Sequence, residues 1–178
     1  MQNNRTIEGV ADRLAPSSPR DNTKPHVSEL ISKVLEETYD EERPQWANNI
    51  MSFGRIWEEA VMRPILEQEA EVFAPNVTLE RDGIIGTMDG ICYTNNESFV
   101  WECKTRFRPL HPPRDYDRWM FQVKAYCHMA RTNKAWLTVL HVSARPPNTE
   151  LVWHELEFSD QELEDNWTML KNARDYNP

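Results

Sequence analysis

The sequence predicts an α/β domain, and three observations carry that reading. Apolar residues recur at three- and four-residue spacing over HVSELISKVLEETY and again from about Gln45 towards Glu69, a helical period. Three strand candidates then follow closely: VTLERD, GIIGTMDGICYT and SFVWECKTR, separated only by the turn-forming pairs Asp82-Gly83 and Asn95-Asn96. A further helical stretch stands between these and two more strands, KAWLTVLHVS and ELVWHELEF, before a last helix.

Taken in order, residues 1–25 are polar, contain Pro16, Pro19 and Pro25 and show no periodicity, which predicts a flexible N-terminal tail ahead of one domain over 26–178. In the first helix Val27, Leu30, Ile31, Val34 and Leu35 share a face, with Ser28 as the expected cap. The second buries a stripe of Ile50, Phe53, Trp57, Ala60 and Val61, and Pro64 is expected to kink or restart it. The three strands form an antiparallel meander. RPLHPPR, residues 108–114, is too proline-rich for helix or sheet and leads to Asp115 or Asp117 as cap of a third helix ending near 131–133. Ser159 and Asp160 begin the last helix.

Composition narrows the function. No apolar run approaches the ~20 residues that cross a bilayer, and the first residues lack a secretory apolar segment, so a cytoplasmic protein is expected, in a bacterium or a phage-infected host. Cys92, Cys103 and Cys127 are an odd number without CxxC spacing, which predicts packed, reduced thiols. The net charge of −9 argues against indiscriminate binding of nucleic acid. It hides a polarity, however: between Lys104 and Lys134 eight Lys or Arg face two Asp, leaving +6 there and −15 elsewhere.

The chemistry concentrates in FVWECKTRF. On a strand Phe99, Trp101, Cys103 and Thr105 face one side, while Glu102 and Lys104 share the other. Asp89, on the preceding strand, can join them. Two carboxylates at a strand end with a nearby carbonyl make an oxygen-rich site for a hard cation such as Mg²⁺ or Mn²⁺, with Lys104 facing whatever the cation holds; this suits phosphodiester hydrolysis. On the second helix Gly54 and Glu58 share a face, the glycine leaving open space beside the acid. Glu59 has Arg55 and Arg63 four residues to either side, an exposed ion-pair ladder that accounts for it without a site. Gln122 and Tyr126 share a face of the third helix at the edge of an apolar stripe. The histidines at 111, 128, 141 and 154 lack metal-ligand spacing.

Gly54-x-x-x-Glu58, Asp89 in GTMDG, Glu102-Cys103-Lys104-Thr105 and Gln122-x-x-x-Tyr126, in this order, resemble the motifs of the PD-(D/E)XK nucleases. The pattern is most similar to the RecB-like and phage-exonuclease branch, with the lambda exonuclease and YqaJ-type recombinases, and covers roughly residues 45 to 142. The resemblance implies a restriction-endonuclease-like core, a mixed sheet of four or five strands between helices. It implies Asp89, Glu102 and the main-chain carbonyl of Cys103 as metal ligands, Glu58 as a further or water-mediated ligand, and Lys104 as the group that orients or activates the attacking water. Gln122 and Tyr126 match the helix motif that supports the lysine and the scissile phosphate. Arg106, Arg108, Arg114, Arg118 and Lys124 become phosphate-contact candidates by position, with DNA as partner.

Departures mark the limits of the resemblance. Many RecB-like members carry a histidine in the first motif, where this chain has Gly54-Arg-Ile-Trp-Glu58, and the three cysteines do not suit an iron-sulfur cluster. The function expected is a divalent-metal-dependent deoxyribonuclease, an exonuclease of phage-type recombination, repair or replication. A single-strand annealing protein and a homo-oligomer are among the partners the branch implies, and no membrane is. The alternatives are a sequence- or structure-specific endonuclease and a catalytically silent DNA- or protein-binding module on the same fold. An acidic nucleic-acid mimic would have no use for the basic segment.

Overall fold

A computed structural model describes residues 23–36, 45–107, 113–144 and 147–176. Helices α1 (Val27–Val34) and α2 (Gln45–Trp57), a π-helical turn (Glu58–Met62) and α3 (Arg63–Glu69) precede strands β1 (Val72–Arg81), β2 (Ile84–Thr94) and β3 (Glu97–Arg106). Helix α4 (Pro113–Ala130), strands β4 (Lys134–Ala144) and β5 (Pro147–Glu157), and helix α5 (Asp160–Asp175) follow. Both turn pairs have left-handed backbones, Asp82 (φ 50°) with Gly83 (φ 73°) and Asn95 (φ 51°) with Asn96 (φ 62°). Two successive positive φ angles match the strand twist of a tight hairpin, so β1, β2 and β3 form the expected antiparallel meander. The α4 crossover returns the chain in the opposite sense, pairing β4 parallel to β3, and β5 closes the edge antiparallel to β4. The result is a five-stranded mixed sheet in chain order, flanked by helices on both faces.

Alternation along β3 sorts the two layers. Trp101, with Phe99 and Cys103, packs beneath Met62 and Leu66 of the π-turn and α3. Val100 faces the other layer, where α1 (Val27, Leu30, Ile31), α4 (Val123, Ala125, Tyr126) and α5 (Leu163, Trp167, Leu170) form the larger core. Trp101 Nε1 donates to Thr138 Oγ1 at 3.0 Å, and the Thr138 hydroxyl lies 3.5 Å from the Glu102 carbonyl, a buried polar link between β3 and β4. The hairpin of β1 and β2 changes layers midway. Phe73 and Cys92 belong to the smaller core, whereas Val77, Leu79, Ile84 and Met88 belong to the larger. Asn76, left-handed at φ 52°, stands at the change.

Several local expectations need correction. The His26 N–H donates to Glu29 Oε2 at 3.0 Å and α1 starts at Val27, so Ser28 lies inside the first turn instead of capping it. α4 begins at Pro113, two residues before Asp115, in keeping with proline's tolerance at a helix start. Of the predicted tail, residues 1–22 lie outside the described residues, while Lys24 pairs with Glu80 at 2.8 Å and the Pro25 carbonyl accepts from the Ile85 N–H at 3.0 Å. The cap at Ser159 is as expected, with a reciprocal bond to Glu162.

Gly86 sets how closely α4 approaches β2. A Cβ there would meet Met129 Sδ at 2.6 Å and Tyr126 Cε1 at 3.0 Å. Gly86→Ala is therefore expected to cost roughly 1–3 kcal/mol through overpacking, measured by chemical denaturation, and to displace the Gln122–Tyr126 pair.

Candidate active site

The register of the sheet opens a wedge at the site. β2 and β3 pair only from Gly90↔Trp101 to Thr94↔Glu97, although β2 remains paired to β1 down to Ile84 and β3 remains paired to β4 up to Arg106. Past Gly90 the two central strands part. Asp89 turns its carboxylate into the opening, where Oδ2 accepts the Cys103 N–H at 2.7 Å. Glu102, 1% exposed, lies beside it, and Lys104 donates to Glu102 Oε1. β3 thus brings an acid and a cation to one side and anchors the other in tryptophan-rich core.

Burial and mutual repulsion govern the carboxyls. Glu102 is pushed up to about 7, first by burial and then by Asp89, with Lys104 opposing. Asp89 is raised by burial against the pull of Lys104 and the Cys103 N–H. Glu58 is pushed up to about 9 by burial, then by Asp89 and Glu102, which places the acid of the π-turn in the same electrostatic neighbourhood. Lys104 is raised by Glu102 and Asp89 in spite of its burial, so it stays an ammonium at neutral pH.

Among the described residues no three His, Cys, Asp or Glu side chains are gathered into a ready-made metal cage. The donor set nevertheless fits a hard cation. Glu102 Oε2 is buried without a hydrogen-bond partner, and Glu102 and Glu58 are each raised by the charge of neighbouring carboxylates. A divalent ion would satisfy both.

The remaining site residues divide. Gln122 Nε2 donates to the Tyr126 hydroxyl at 2.8 Å, so this pair lies on α4, Tyr126 being 3% exposed against β2. Of the expected phosphate contacts, the structure describes the side chains of Arg106, Arg118 and Lys124. Arg106 is buried at 4% exposure, next to His141 in the β3–β4 register. Arg118 braces α4 to α1, donating to Ser32 Oγ at 3.1 Å and to the Ser28 carbonyl at 3.4 Å. Lys124 pairs with Glu162 at 3.2 Å and covers the Phe158 ring. Arg118 and Lys124 thus each have a partner within the fold. Arg108 lies outside the described residues, as does the side chain of Arg114.

Gly54 is less demanding than its motif position suggests. A Cβ there would lie 3.6 Å from Thr105 Oγ1, an ordinary contact. Gly54→Ala is expected to raise stability by about 0.5–1 kcal/mol, the gain of alanine in a helix interior, with function kept; thermal unfolding checks the first and the cleavage assay below the second. Two contributors are absent from the motif reading. Thr138 is legible only as one polar residue in a largely apolar strand, and Arg63 keeps the pairing with Glu59 that its spacing suggests, with a Glu59 side chain only 7% exposed.

No family model and no curated protein matches the chain. Among solved structures it is similar to a phage-related exonuclease from Haemophilus somnus 129PT, with a TM-score of 0.53 and 15% identity over 83% of this chain and 77% of that one. It is also similar to LHK-Exo, an alkaline exonuclease from Laribacter hongkongensis, in complex with dAMP, with a TM-score of 0.51 and 14% identity over 92% and 88%. The chain has the α/β fold of these exonucleases, the restriction-endonuclease-like core that its motifs imply.

Proposed function

We propose that the chain is a divalent-metal-dependent deoxyribonuclease, acting as an exonuclease. The observation that supports this best is the placing of Asp89, Glu102 and Lys104 where β2 and β3 part, with Glu58 near enough to feel the charge of both acids. Asp89, Glu102 and the Cys103 carbonyl would hold Mg²⁺ or Mn²⁺, with Glu58 completing the set from the π-turn. When bound, such a cation acidifies water and offsets phosphate charge. Lys104, held as an ammonium by Glu102, orients the attacking water and stabilises the charge that develops on phosphate; as an ammonium it is an electrostatic group and not the base. Gln122 and Tyr126, paired on α4, would support that lysine, as the motif resemblance implies.

The preference for an exonuclease comes from the motif pattern and from the two exonucleases that share the fold. In phage-type recombination such an enzyme would act beside an annealing protein. Incubation of the protein with linear and closed circular DNA, with Mg²⁺, Mn²⁺ or EDTA, tests the reading. Metal-dependent loss of linear DNA alone is expected. Nicking of the circle would make the protein an endonuclease, and absence of cleavage with every metal would leave a binding module.

A further inference from the structure

The helix that carries Glu58 changes register there, and the change brings a second cation to the site. Pro64 has no N–H and its ring crowds the carbonyl four residues back, so an ordinary α-helix cannot run through it. The chain instead inserts a π-turn, in which the Arg63 N–H reaches back to the Glu58 carbonyl. Residues five apart point in well-separated directions on an α-helix but come much closer together on the wider π-turn. Arg63 consequently stands on the Glu58 side of the helix. Its guanidinium is gripped from behind, with Nη1 2.5 Å from Glu59 Oε2 and Nη2 2.6 Å from Glu59 Oε1. The Arg63 side chain keeps 21% of its surface exposed, against 7% for Glu59. It is also close enough to Glu58 and Asp89 to act on both carboxyls as a positive neighbour.

A fixed positive charge beside a cation site repels the cation, so Arg63 is not there to help the acids hold metal. It serves an anion. Of the five N–H donors of the fork, two meet Glu59, and the planar group is locked in one orientation with donors remaining. We propose that Arg63 is a phosphate-contacting residue, set by the π-turn and by Glu59 to meet a phosphate of the nucleic-acid substrate beside the acidic cluster. The inference rests on the nuclease reading above and adds to it the residue that receives the substrate.

The test compares wild type with Arg63→Met and with the double variant Glu59→Gln/Arg63→Met. The double variant removes the acid that would otherwise be buried without its partner, and it keeps net charge unchanged, so overall electrostatics cannot imitate the effect. Binding of a short labelled DNA duplex is measured in Ca²⁺ across a salt series, and Mn²⁺ binding by calorimetry without DNA. Both variants should bind DNA roughly tenfold more weakly, the loss of one charge-assisted contact. The slope of log affinity against log salt should become shallower by about one. Mn²⁺ affinity should hold or tighten. An unchanged salt slope and DNA affinity in the double variant would overturn the proposal, as would a parallel loss of Mn²⁺ binding, which marks a merely structural role. If wild type neither binds nor cleaves DNA with any divalent metal, the nuclease reading falls first and this inference with it.

Discussion

Glu102→Ala and Lys104→Ala are each expected to lose at least ~10²-fold in DNA cleavage rate while remaining folded, since each removes a group that acts in the transition state. The two losses should differ in kind. Glu102 carries the buried, unpartnered oxygen, so its alanine variant should also lose the rise in melting temperature that Mn²⁺ gives the wild type. Lys104 acts on the phosphate side, so its variant should keep that rise and lose only rate. Lys104→Ala leaves Glu102 buried without its cation and should melt lower than Lys104→Ala/Glu102→Gln. Wild-type cleavage in either single variant would place the chemistry elsewhere.

Without metal, the protein should be more stable at pH 5 than at pH 9, with a drop in melting temperature on the order of 5 °C or more. The sign follows from the acids. Glu58 lies at about 9 in the fold against 4.5 ordinarily, and Glu102 at about 7. Between those values the folded chain keeps protons that the unfolded chain releases, so stability falls as pH rises from about 4.5 through each folded-state value and levels off above about 9. Glu58→Gln should flatten most of this slope and stand above wild type at pH 8. A cation replaces protons on the same groups, so the stabilisation by Mn²⁺ should grow with pH. Melting curves with EDTA and with Mn²⁺ at pH 5, 7 and 9 check both trends, and a wild type that gains stability with pH would contradict them.

The strand half of the molecule was legible because its signals are local. The pairs Asp82-Gly83 and Asn95-Asn96 dictate tight hairpins, and strict alternation in FVWECKTRF separates the Trp101 face from the Glu102 and Lys104 face. The second helix was only half legible. A period of 3.6 predicts Trp57, Ala60 and Val61 on one buried stripe, whereas the structure buries Met62 and Leu66 and leaves Ala60 exposed. One extra residue in the π-turn explains the shift: the step from Trp57 to the next buried position is five, not four, and Pro64 is its cause. Arg63 keeps the i, i+4 pairing with Glu59 that its spacing suggested, but the Glu59 side chain is buried and not on an exposed ladder.

The contacts of the basic segment were not legible for a different reason. Charge counted along the chain does not say what each group meets, and Arg118 and Lys124 meet Ser32 and Glu162, which are distant in sequence. Motif order singled out acids that the topology places near one another. Their crowding was not readable, since it depends on where β2 and β3 cease to pair.

The most direct measurement is the position of Mn²⁺, by anomalous scattering, in crystals of the protein soaked with the ion. A single strong site is expected at coordination distance, about 2.1–2.2 Å, from carboxylate oxygens of Asp89 and Glu102 and from the Cys103 carbonyl, with Glu58 directly or through water. An ion bound elsewhere, or none at millimolar Mn²⁺, would contradict the account.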